Sequence, residues 1–144
     1  MGQVLYAPQF AGRPSRTEHA GTVARVLVVE SEPATLAAIS QALQSEGHAT
    51  ATAFDAPGAV AVAERLGPFD LLITDVEATG GVELADALRR REPGMQVLYV
   101  TSCRDGRLPA LFDDDEVIER PFSESELVDA VSSLLYWRRP RGTR

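Results

Sequence analysis

Four short apolar runs constrain this chain more than any other feature, because each ends in a polar or charged residue. Leu71, Leu72 and Ile73 lie in the run 69–75, which closes on Thr74 and Asp75. Residues 25–29 run into Glu30, Ser31, Glu32 and Pro33; residues 96–100 run into Thr101 and Ser102; Val117 and Ile118 run into Glu119, Arg120, Pro121 and Phe122. Runs this short, apolar without alternation, suit strands buried on both faces, as in a parallel sheet covered by helices on each side. In an open α/β sheet the C-terminal ends of the strands form the edge where ligands bind. If the strands are parallel neighbours, Glu30, Asp75, Thr101 and Arg120 converge there. That set suits phosphoryl chemistry: acids for a divalent cation, Asp75 as nucleophile, and Thr101 and Arg120 to stabilise the transferred group.

Helical patterns separate the runs. Residues 33–47 carry Leu36, Ile39 and Leu43 at helical spacing, with Pro at the start and Gly at the end. Asp55, Ala56 and Pro57 open a second helix that ends near Gly67 and Pro68. Residues 82–88 open a third, closing on Arg89, Arg90 and Arg91, a solvated end that suits the negative pole of a helix. Ser123 with Glu126 is a capping box, and it starts a last helix with Leu127, Val131, Leu134 and Leu135 on one face. Residues 48–54 alternate weakly and read as the remaining strand. Strand and helix alternate about five times, the pattern of a doubly wound parallel sheet with right-handed crossovers.

The 144 residues are enough for one domain with a real core. Residues 25–137 hold 20 acids against 8 arginines, an acidic body poorly suited to nucleic acid. Residues 1–24 read as a flexible extension and residues 138–144 as a basic tail. The chain has no Lys, so every fixed positive side chain is Arg, and its single Cys, Cys103, excludes an intrachain disulfide. No apolar stretch suffices to span a membrane and no signal peptide is seen, so a cytoplasmic protein is expected. No GxGxxG follows a strand, so a dinucleotide site is unsupported. The acids after the first strand stand where a flavin phosphate wants glycines and backbone N–H groups.

The ordered pieces Val26 to Pro33, Leu71 to Val76, Gly81 to Leu84, Val97 to Ser102 and Arg120 to Phe122 resemble the receiver domain of two-component response regulators over about residues 25–137. The resemblance implies a flavodoxin-like sheet of five parallel strands in order 2-1-3-4-5; between Thr101 and Val117 the chain is shorter than the family pattern and interrupted by Gly106, Pro109 and three Asp, so a stunted or missing fourth helix is expected. It implies that Asp75 accepts a phosphoryl group from a phosphohistidine on a sensor histidine kinase or histidine phosphotransfer protein. Thr101 and Arg120 would bind that group, and Mg²⁺, held weakly, would sit on Glu30, Asp75 and Glu77. A cis Arg120–Pro121 bond aiming Arg120 at Asp75 is also implied. The chain departs from the family at Ser31, where a second acid is usual, at Arg120, where Lys is usual, and at Val117, where an aromatic is usual.

The reading is of a signalling protein, not an enzyme, with no DNA-binding domain and no membrane partner, acting through protein contacts. Its last strand and helix are where receivers commonly pair, which leaves a homodimer open. The alternative is a pseudo-receiver, an interaction module without phosphorylation. A third reading takes Asp75, Glu77 and Thr79 as the loop of a haloacid-dehalogenase-like phosphatase.

Overall fold

The computed structural model describes residues 23–76, 80–102 and 116–136. Residues 1–22 of the extension expected to be flexible, the C-terminal tail, Glu77, Cys103 and the segment expected to hold a stunted helix lie outside them. Five strands, β1 (Arg25–Val29), β2 (Ala49–Ala53), β3 (Leu71–Asp75), β4 (Gln96–Thr101) and β5 (Glu116–Glu119), form one parallel sheet in order β2-β1-β3-β4-β5. Among the described residues four helices connect or follow them: α1 (Pro33–Ser45), α2 (Ala56–Leu66), α3 (Gly81–Arg91) and α4 (Glu124–Tyr136). The expected order and parallel sense are both present.

The two-residue period of the strands divides the core. Val26 and Val28 of β1, Leu71 and Ile73 of β3, and Leu98 and Val100 of β4 pack with Leu36, Ile39 and Leu43 of α1 and Leu127, Val131 and Leu134 of α4. Leu27, Val29, Leu72, Val97 and Tyr99 point the other way, onto Ala59 of α2 and Leu84, Ala85 and Leu88 of α3. Leu71, Leu72 and Ile73 are buried, and each stabilises the fold by about 2 kcal/mol. The apolar runs are continuous because both faces are covered.

The helix starts follow their sequence signals. Asp55 caps α2, its carboxylate accepting from the Gly58 N–H at 2.8 Å. The capping box is formed in both directions: Ser123 Oγ accepts from Glu126 N–H at 3.0 Å, and Glu126 Oε1 accepts from Ser123 N–H at 2.9 Å. Glu32 is the cap of α1, with Oε1 accepting from the Thr35 hydroxyl at 2.6 Å and from its N–H at 3.3 Å.

At the opposite edge His48 is buried before β2. Its Nδ1 accepts from the Ala24 N–H at 3.1 Å, which requires that nitrogen to carry no proton. Burial holds the imidazole below its ordinary pKa, against a smaller opposing pull from Asp70. Above the ordinary value of 6.5 the ring is neutral folded and unfolded alike. As pH falls below it, the unfolded chain takes up a proton that the fold resists, and stability is lost until the lowered folded pKa is passed. The chain should therefore lose stability as pH falls from about 7.5 to about 5.5. Urea unfolding checks this: His48→Gln should flatten the slope in that window, and an unchanged slope would place the titrating group elsewhere.

Candidate functional site at the strand ends

β1 and β3 are neighbours with Val29 beside Thr74, so the residues that follow or close them, Glu30 and Asp75, stand side by side. Both are buried. β4 lies on the other flank of β3, pairing Val100 with Asp75, and its next residue, Thr101, is buried as well. β5 completes the edge, and the chain leaves it through Arg120 and a cis bond to Pro121. The Gly67–Pro68 bond is cis too; nothing in the sequence singled it out.

Arg120 turns inward. One of its nitrogens, Nη2, donates to Glu30 Oε1 at 2.7 Å and to Asp75 Oδ2 at 2.8 Å. Both lengths are those of charge-assisted bonds. Because a single nitrogen serves both, the two carboxylates are no farther apart than two hydrogen bonds laid end to end. The Arg120 backbone N–H donates to the Thr101 carbonyl at 2.8 Å. Burial works against the Arg120 charge, but the bonds from Glu30 and Asp75 outweigh it, and the guanidinium is held above its ordinary pKa. The second Glu30 oxygen, Oε2, accepts from the Glu32 N–H at 3.1 Å.

The structure thus brings Glu30, Asp75 and Arg120 into direct contact and sets Thr101 on the adjoining strand end; Glu77 falls outside the described residues. Ser31 is exposed, and the Glu32 carboxylate is turned to Thr35. Gly81 is a site residue that sequence reasoning used only as part of a motif. A Cβ there would stand 2.3 Å from the Asp75 carbonyl oxygen and 3.0 Å from Thr74 Cγ2. Only glycine lets the start of α3 lie against the end of β3. The signal was the Gly80-Gly81 pair just before a helical pattern.

A doubly wound sheet with acids and a cation at its switch edge is the class that fold and site define. The family model for the response regulator receiver domain matches residues 26–132. The probable transcriptional regulatory protein TcrX of Mycobacterium tuberculosis is 34% identical over 120 residues, which cover 80% of this chain and 51% of that protein. The transcriptional regulatory protein TrcR of the same organism is 32% identical over 123 residues, 80% of this chain and 46% of that one. Among solved structures, the chemotaxis response regulator CheY4 of Vibrio cholerae superposes with a TM-score of 0.67 at 25% identity, covering 78% of this chain and 99% of that one. A response regulator receiver protein from Sinorhizobium medicae gives 0.69 at 21% identity, covering 81% and 98%, a likeness of fold alone. The chain belongs to the response regulator receiver domain family, the receiving module of two-component signalling.

The relatives also correct the partners expected from sequence, which excluded a DNA-binding domain. They are named transcriptional regulatory proteins, and the chain spans about half their length. The physical reason is modularity: a receiver's residues encode its own core and site, and carry no record of what a receiver is joined to.

Receivers generally bind Mg²⁺ at their acidic site. Here the two facing carboxylates already share a guanidinium, and the described residues contain no group of three metal-ligating side chains. A divalent cation that wants octahedral oxygen does not fit this donor set with Arg120 in place.

Two outcomes are expected for this site. Gly81→Ala should cost about 2 kcal/mol, because backbone must move; thermal unfolding measures it, and a neutral result would mean that α3 shifts freely. Arg120→Met leaves two buried carboxylates without their cation, at a cost of about 3 kcal/mol at pH 7. Thermal unfolding at pH 7 measures that loss too. A loss under about 1 kcal/mol would show that the carboxylates do not depend on Arg120.

Proposed function

We propose that Asp75 is the phosphoacceptor of a two-component relay. The supporting observation is the bridge of Arg120 to Asp75 and Glu30, a preorganised positive charge beside the one carboxylate that closes the central strand. A carboxylate oxygen of Asp75 attacks the phosphorus of a phosphohistidine. An O–P bond forms, the P–N bond breaks, and its electron pair returns to the imidazole. The phosphoryl oxygens gain charge beside Arg120, where a fixed guanidinium stabilises them without reorganising solvent. Thr101, on the next strand end, is the proposed hydroxyl donor to that group. Weak Mg²⁺ binding, expected from the sequence, has no step in this proposal, because its two described ligands are engaged by Arg120.

The phosphorylated domain signals by protein contact, in a cytoplasmic setting and without turning over a substrate of its own. A doubly charged phosphoryl group on Asp75 competes with Glu30 for Arg120. Arg120 stands where β5 meets the turn into α4, so a change in its partners is transmitted to the surface formed by Ile118, Glu119, Pro121, Glu126 and Asp129. The second reading, an interaction module without phosphoryl transfer, is favoured by exposed Ser31 in place of a second acid and by the engagement of both described acids.

Labelling with acetyl phosphate separates the two. Under the first reading the intact chain gains one acid-stable, hydroxylamine-labile phosphoryl group, lost in Asp75→Asn and reduced at least about tenfold in Arg120→Ala, as for loss of one stabilising donor. Absence of label in the intact chain supports the second.

A further inference from the structure

We propose that Arg120 is the resident cation of this site: it fills the position between Glu30 and Asp75, and the acid pair takes no divalent metal ion while it is there. The inference concerns the same site as the proposed function, but its geometry stands without phosphorylation.

Three observations carry it. The first is that one nitrogen, Nη2, makes both contacts, at 2.7 Å to Glu30 and 2.8 Å to Asp75. A metal ion bridging the same oxygens has to displace that nitrogen. The second is the state of the neighbouring donors. Glu30 Oε2 is taken by the Glu32 N–H, the Glu32 carboxylate caps α1 on Thr35, and Ser31 is exposed and neutral. The chain thus brings no further described acid to the pair. The third is charge. Two carboxylates and one guanidinium leave a single net negative charge, half of what a divalent cation needs for neutrality. The ion would also lie within a few ångströms of a like charge that cannot deprotonate. Arg suits this role better than Lys, because it is more weakly hydrated and stays charged.

Mn²⁺ alone, a paramagnetic ion with the same oxygen and octahedral preference, tests the proposal on the full chain at physiological salt. Depletion of the free Mn²⁺ signal in electron paramagnetic resonance gives the affinity. The wild type should show no site that Asp75→Asn removes. Arg120→Ala should gain one, at least about tenfold tighter than any wild-type binding, and Arg120→Ala/Asp75→Asn should lose it again. Wild-type binding that Asp75→Asn abolishes overturns the proposal, because the ion then sits beside Arg120. No gain in a folded Arg120→Ala overturns it too, since Arg120 is then not what keeps the metal out, and so does a gained site that survives loss of Asp75. Should Arg120→Ala not fold, Arg120→Gln takes its place, under the same criteria. No phosphoryl donor is present in any arm, so the metal affinities stand whether or not Asp75 accepts phosphate.

Discussion

The interaction on which the rest of this structure depends is a guanidinium shared by two buried carboxylates. Removing one carboxylate from water is costly, and placing two side by side is worse, unless a fixed cation lies between them. Arg120 supplies that cation, and in doing so touches most of the sheet. Its side chain reaches Glu30 at the end of β1 and Asp75 at the end of β3, while its backbone N–H holds the Thr101 carbonyl at the end of β4. Arg120 itself follows β5. One residue therefore gathers four of the five strand ends. The arrangement exists only in the order β2-β1-β3-β4-β5, which makes β1 and β3 neighbours.

The dependence also runs from fold to site. The parallel sheet sends every strand in the same direction, and α1 to α3 begin just beyond the C-terminal ends of β1 to β3. Their positive dipole ends lie at the edge that holds the acids, which favours negative charge there. Asp75 is fixed at both levels: Leu71 to Ile73 bury its strand, and the close approach of Gly81 sets α3 against its carbonyl. The strand ends and a glycine contact set the geometry, with Glu30 and Arg120 on the first residues beyond β1 and β5.

Much of this was legible because the relevant signals are local. Continuous apolar runs marked β1, β3 and β4 through their burial on both faces, and capping residues marked the helix starts. Even β5, with only Val117 and Ile118 as an apolar pair, was betrayed by the Arg-Pro-Phe that ends it. Strand ends then brought Glu30, Asp75, Thr101 and Arg120 to one edge by topology alone. What stayed hidden depends on rotamers and packing. No spacing rule states that one nitrogen of Arg120 serves both acids, that Glu32 turns to Thr35, or that His48 is buried with its Nδ1 on the Ala24 N–H. The kind of protein that carries such a domain was hidden for another reason, since modules fold without reference to their neighbours.

Two departures from the family pattern are better understood as one. Ser31 removes a negative charge from the acid pair after β1, and Arg120 replaces a compact, strongly hydrated ammonium with a weakly hydrated guanidinium. Taken singly, the first weakens a metal site and the second crowds it. Taken together, they shift the neutralising charge from a borrowed ion to the chain itself. An acid at position 31 would add a third carboxylate beside one monovalent cation and leave two uncompensated charges at this edge, a demand that a divalent ion meets. With Ser31 the deficit falls to one, at an edge where helix N-termini and solvent absorb it. A chain without lysine can meet the remaining demand only with arginine, and arginine's weaker hydration makes it the easier cation to desolvate. The absence of Lys, the Ser31 substitution and the inward Arg120 are then consistent parts of a single electrostatic solution.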